Sequence, residues 1–242
     1  SMKEEKLKGA SVALVGLGNS QGVFTSSVAN GKHYDEVWAV NSMLAAIKHD
    51  RVFMMDPASR FFDTDKAGPQ TEALRRELPG HPGPIYTCEL DTRVPGSVLY
   101  PLEAVVQDSG LCYFNNTVPY AIAFAAYQEI GKLYLYGIDF SYRKNVHFAE
   151  AGRACCEFWL AYCTTKGIKI EVAHSSALLD TNVAPEERLY GYHRLTDPLV
   201  MTINEEKLLV SRQSEILPPE PVDNLQGVYD INDNVVSMAG KA

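Results

Sequence analysis

Five short apolar runs, each separated from the next by helix-forming or irregular chain, constrain this sequence more than any other feature. They are Ser11-Val12-Ala13-Leu14-Val15-Gly16, Glu36-Val37-Trp38-Ala39-Val40-Asn41, Arg51-Val52-Phe53-Met54-Met55-Asp56, Lys132-Leu133-Tyr134-Leu135-Tyr136-Gly137-Ile138-Asp139 and Lys169-Ile170-Glu171-Val172. Each has strand length and is apolar almost throughout, the pattern of strands buried on both faces. Ser42–His49, Thr71–Leu78, Val118–Ile130 and Glu150–Lys166 read as helices, the last stopped by Gly167. Strands alternating with helices predict an α/β protein, a Rossmann-like, mostly parallel sheet flanked by helices.

Two regions break the rhythm. Residues 57–115 hold the turn-rich stretch Pro79-Gly80-His81-Pro82-Gly83-Pro84 and read as an insertion, or as a strand with long loops. After Pro198 the pattern dissolves. Met201 to Ser211 reads as a strand or a short helix, and Pro218-Pro219-Glu220-Pro221 as an extended breaker. The expected organisation is a nucleotide-binding domain over 1–198 and a C-terminal extension over 199–242, an arm that suits a homo-oligomer contact.

Composition excludes more than it selects. Lys plus Arg total 22 and Asp plus Glu 30 in 242 residues, a net charge of −8, which disfavours a general nucleic-acid surface. No apolar run approaches the roughly 20 residues of a membrane span. Ser1 to Lys6 has no apolar signal core. Cys88, Cys112, Cys155, Cys156 and Cys163 lack paired or zinc-knuckle spacing. Cys155, Cys156 and Cys163 lie among Phe158, Trp159 and Leu160 and read as small core residues of a reduced, cytoplasmic protein.

In an open parallel sheet, ligands bind beyond the carboxyl ends of the strands. Four such ends carry Gly18-Asn19-Ser20, Asn41, Asp56 and Asp139, and all four are expected in one crevice. Gly16-Leu17-Gly18-Asn19-Ser20-Gln21-Gly22 is a glycine-rich turn whose N–H groups suit a phosphate, although it matches neither the dinucleotide fingerprint nor a Walker loop. A tight turn without a ligand is the alternative. Asn41 equally suits a helix cap and Asp56 a turn start. Asp139 must find a donor, which points to a ligand. Asn115-Asn116-Thr117 precedes a helix and suits either a phosphate or simple capping. Beyond Asp139, Tyr142 and Arg143 can neutralise a leaving phosphate, and His147 has the proton affinity of a general base.

Several of these segments resemble bacterial lipooligosaccharide sialyltransferases, which use CMP-sialic acid. Val15-Gly16-Leu17-Gly18-Asn19-Ser20 is similar to their V-x-G-N-G-P-S-L opening, and Ala39-Val40-Asn41 to their second strand. Val52 to Phe62 resembles V-F-Y-N-P-x-x-F-F, Asn116 to Ala121 resembles T-S-G-x-Y, and Tyr134 to Phe140 resembles Y-L-x-G-I-D-F. The same skeleton recurs in the 6-hydroxymethylpterin diphosphokinase-like family. The resemblance implies a nucleotide-sugar site formed by Gly16, Gly18, Asn19, Ser20, Asn41, Asp56, Asn116, Thr117, Asp139 and Phe140. Tyr142 and Arg143 would meet the leaving phosphate, and His147 would serve as base, with no required cofactor. The sequence departs from the family at Gln21, where a proline is usual, and at Asp56, where an asparagine is usual. The expected function is glycosyl transfer from a nucleotide sugar to a hydroxyl acceptor. Two alternatives stand beside it: a pyrophosphokinase or nucleotidyl enzyme with Mg²⁺ on Asp56 and Asp139, and a nucleotide-binding module without catalysis.

Overall fold

A computed structural model describes residues 7–140, 145–191, 197, 199–205 and 207–216, with backbone alone at 186 and 204. The strands are β1 (Ser11–Val15), β2 (Glu36–Val40), β3 (Arg51–Phe53), β4 (Ile85–Thr87), β5 (Ser97–Leu99), β6 (Lys132–Tyr136) and β7 (Lys169–Val172). They form one parallel sheet in the order β5-β4-β3-β2-β1-β6-β7. The helices are α1 (Gln21–Ala29), α2 (Ser59–Phe62), α3 (Thr71–Glu77), α4 (Leu102–Ser109), α5 (Thr117–Tyr127) and α6 (Val146–Thr165).

Successive strand side chains point to opposite faces, and both faces are covered. Val12, Leu14, Trp38, Val40, Phe53, Leu133 and Leu135 pack with Val105 of α4, Ile122 and Phe124 of α5, and Trp159 and Leu160 of α6. Ala13, Val15, Ala39, Val52, Tyr134 and Tyr136 pack with Phe24 of α1, Phe61 of α2 and Leu74 of α3. This is a Rossmann-like α/β fold. Cys155, Cys156 and Cys163 are buried, the last with its thiol on the Ile122 carbonyl.

Near the amino ends of the strands, a buried polar network ties three of them together. Arg51 donates from Nε to Glu36 at 2.8 Å and from Nη1 to the Tyr86 hydroxyl at 2.7 Å. Trp38 Nε1 donates to the same Glu36 carboxylate at 2.7 Å. Glu36 and Arg51 are 7% and 4% exposed, so each charge depends on the other.

Two expectations need correction. Of the two readings of residues 57–115, the insertion falls and the strand with long loops is nearer: the segment extends the sheet through β4 and β5, with α2 and α3 before β4 and α4 after β5. Arg93 braces this region. It bridges Asp63 at 2.6 Å and Asp91 at 2.7 Å and lies over the Phe62 ring. Residues 42–49 do not form an α-helix. A 3₁₀ turn, Asn41–Ala45, replaces it, because Asn41 takes φ +49° and Asp50 returns at once to β2, its carboxylate accepting from the Val37 N–H.

The chain divides into two units after Leu178, earlier than the expected boundary at 198. In the second unit, β8 (Leu199–Asn204) and β9 (Lys207–Arg212) make an antiparallel hairpin, followed by the short helix α7 (Gln213–Ile216). Met201 to Ser211 therefore contributes most of two strands. Among the described residues no helix is long and apolar enough to cross a membrane.

Candidate functional site

Strand order reverses at β1. From it β2 to β5 run to one side, and β6 and β7 to the other. The carboxyl ends of β1 and β6 thus flank the position where such folds bind ligands. The structure divides the expected site residues there into two groups.

The first group is used up in joining the two loops. Gly18 N–H donates to the Gly137 carbonyl at 2.7 Å, and Gly137 N–H donates to Ser20 Oγ at 2.8 Å. Asp139, 6% exposed, accepts the Ser20 N–H at 2.7 Å on one oxygen and the Ser20 hydroxyl on the other. A Cβ at Gly16 would lie 2.6 Å from the Gly137 carbonyl, and one at Gly18 2.5 Å from the Asp139 carboxylate. The glycines are therefore needed for close approach of loop to loop. The Asp139 carboxylate occupies the amino-terminal turn of α1, where backbone N–H groups favour negative charge. The donor that Asp139 requires is internal.

Asn116 is likewise committed. Its Oδ1 accepts the Val118 N–H at 3.2 Å and caps α5, while its Nδ2 donates to Asn115 Oδ1 at 2.7 Å. Asn115 in turn donates to the Ala151 carbonyl of α6 at 2.8 Å. Phe140, at φ +50°, packs its ring against Gly152, where a Cβ would lie 2.6 Å from it.

The second group keeps free polar capacity. Asn19 is exposed beyond β1, and Thr117 is half-buried at the start of α5. Asp56 is half-buried beyond β3, with one oxygen held by Arg60 at 2.9 Å. Asn41 is the outlier. Its Oδ1 is buried with no hydrogen-bond partner among the described residues, and its backbone is left-handed. The neighbouring Ser42 N–H is held by Gln70 Oε1 at 3.2 Å, which fixes the turn. A buried orphan acceptor and a strained backbone each cost about 1–3 kcal/mol, and such strain gathers at functional positions.

Sequence reading passed over Thr87, because β4 was not recognised. Thr87 is 1% exposed, and its Oγ1 finds no nitrogen or oxygen partner among the described residues. It lies beside the Cys88 thiol, which burial pushes up, with Glu89 and Asp56 adding smaller like-charge effects. The signal available was a short Ile85-Tyr86-Thr87 run ending in a hydroxyl.

His147 is exposed in the first turn of α6, whose cap is Asn145, and has no hydrogen-bond partner among the described residues. Tyr142 and Arg143 lie outside the described residues. Both Asp139 oxygens face Ser20 and Asp56 is paired with Arg60. Among the described residues no group of three or more His, Cys, Asp or Glu is placed to hold a metal ion.

Compared with known proteins, the chain matches no family model, and no curated protein matches it.

Proposed function

We propose that the protein binds a nucleotide sugar at the carboxyl edge of β1, β2 and β3 and passes the sugar to a hydroxyl acceptor. The observation that carries this reading is Asn41, whose buried Oδ1 has no partner among the described residues and asks for a donor such as a ribose hydroxyl or a base amino group. Asn19 and Thr117 add an amide and a hydroxyl on the same sheet edge. Asp139 holds the glycine loop rigid beside that edge. His147, just beyond, takes the acceptor proton. The resemblance to nucleotide-sugar transferases supplies the ligand class.

Calorimetric titration with CMP, CMP-sialic acid, UDP-sugars and ATP tests this. Saturable binding of a nucleotide sugar, weakened about tenfold in Asn41→Ala (about 1.4 kcal/mol), is expected. His147→Ala should bind equally and lose turnover. If no nucleotide binds, or if Asn41→Ala binds unchanged, the reading fails.

One observation favours a second reading, binding without catalysis: nothing among the described residues orients His147. Binding with no turnover in the wild-type protein would select it.

The hairpin supports a homo-oligomer. Ile203 and Leu208 are cross-strand partners, 77% and 63% exposed, and a two-stranded ribbon is marginal alone. Light scattering of Ile203→Lys/Leu208→Lys against wild type should show loss of the larger species.

A further inference from the structure

Apart from the carboxyl ends of β1, β2 and β3, a cavity of about 300 Å³ opens between α1, β6 and β7. Its walls include Val23, Val172 and Ala173, with Ser27, Lys32, Tyr134, Tyr136, Glu171 and His174 as its polar groups. Tyrosines here are unusual for a sheet face packed on a helix. Tyr34, Tyr134 and Tyr136 are 6%, 5% and 7% exposed in an otherwise apolar layer. Their rings touch edge to face, Tyr34 lying 5.1 Å from Tyr134 and 6.1 Å from Tyr136. Two of the hydroxyls satisfy each other, since Tyr34 and Tyr136 are directly hydrogen-bonded and Ser27 Oγ lies 3.0 Å from Tyr34. Tyr134 differs. Its oxygen accepts from Lys32 Nζ at 3.0 Å, which leaves the phenolic proton free to be donated elsewhere.

Charge at the rim is one-sided. Glu171 is neutralised by Lys132 at 2.7 Å. Lys32 has no carboxylate within ion-pair distance among the described residues; it meets only the Tyr134 oxygen and ring face. The ammonium holds the Tyr134 phenol below its ordinary value, so the phenol is a stronger donor than usual.

We infer that this cavity binds a small organic monocarboxylate with an apolar body. One carboxylate oxygen accepts the Tyr134 O–H and the other a remaining Lys32 N–H. The body lies on Val23, Val172 and Ala173. Apolar walls with a few convergent polar groups are the usual composition of a small-molecule site. This binding is separate from the nucleotide reading, because it uses the α1 side of β6 and β7 and none of the residues named at the carboxyl ends of β1, β2 and β3.

The test uses the full chain, with benzoate as probe and benzamide as its neutral isostere, followed by two-dimensional NMR titration. Saturable benzoate shifts at Val172, Ala173 and His174 are expected, with benzamide at least about tenfold weaker. Lys32→Met and Tyr134→Phe should each weaken benzoate about tenfold, and Lys32→Arg should largely retain it. Lys32 is exposed and Tyr134→Phe removes one oxygen, so unchanged spectra elsewhere will certify the fold. The inference is overturned if benzoate does not saturate, if benzamide binds as well, or if neither variant alters binding.

Discussion

Removing the Asp139 carboxylate is the sharpest test of how the two central loops are joined. Asp139→Ala strips the acceptor from a buried N–H and a buried hydroxyl, both on Ser20. Hydrogen bonds to a charged group contribute about 1.5–3 kcal/mol each, so the loss should be about 3–6 kcal/mol. In a domain of this size that lowers the melting temperature by roughly 6–24 °C, at about 2–4 °C per kcal/mol. Asp139→Asn keeps one acceptor and should lose about half as much. Ser20→Ala leaves the Gly137 N–H without its partner, so it also destabilises. Because the two residues share one network, the double variant should fall short of the sum by about 1–3 kcal/mol. Thermal and urea unfolding of the four variants beside wild type, with constant urea slope, gives the numbers. If Asp139→Ala melts within about 2 °C of wild type, or if the two losses add fully, the carboxylate is no staple. A buried charge at that edge would then need a ligand.

Asn41→Gly should raise the melting temperature by about 2–4 °C, through relief of left-handed strain, while weakening nucleotide binding in the same titration. A lower melting temperature would show that the Asn41 side chain supports the fold instead. Arg51→Met strands the buried Glu36 carboxylate and should cost about 3–5 kcal/mol in urea unfolding, whereas the pair replacement Glu36→Leu/Arg51→Met should recover much of it. Arg93 holds the Asp91 carboxyl down at about 2, from an ordinary 3.8. A depressed carboxylate stabilises the fold fully above its unfolded value and loses that contribution as pH falls through its folded one. The stability gap between wild type and Arg93→Gln should therefore be flat from pH 5 to 8 and shrink between pH 4 and 2. Burial pushes the Cys163 thiol up to about 12 and raises those of Cys155 and Cys156. Iodoacetamide at neutral pH should label exposed Cys112 first and these three only on unfolding, as read by peptide mass spectrometry.

β1, β2, β3 and β6, buried on both faces, were legible because each needed a largely apolar run; edge strand β7, with Lys169 and Glu171 exposed, was legible from its β-branched Ile170 and Val172. β1, β2, β3, β6 and β7 all begin where the sequence pattern begins them. β4 and β5 were not legible, since three residues beside Pro84 and Gly96 carry too little periodicity to separate a strand from a loop. The 3₁₀ turn after β2 escaped for a different reason. Alanines and leucine at 44–46 favour a helix locally, and the pull of Asp50 back onto β2 overrides them. For the site, sequence placed polar groups correctly at strand ends but not their partners. That Asp139 needed a donor follows from its position; that the donor is Ser20, 119 residues away, follows only from the packing of β1 on β6.

That distance has a consequence for how the chain is made. β1 is an interior strand, yet one of its two neighbours is β6, which synthesis reaches only after β2, β3, β4 and β5 have been produced. At ribosomal speeds of about 5–20 residues per second, the nascent sheet of β1 to β5 waits several seconds with an open backbone edge on β1 that β6 will later cover. An unpaired edge invites strangers. Cotranslational chaperone cover over that interval is where cells making this protein should be most sensitive, and aggregation should peak in fragments that stop short of residue 132.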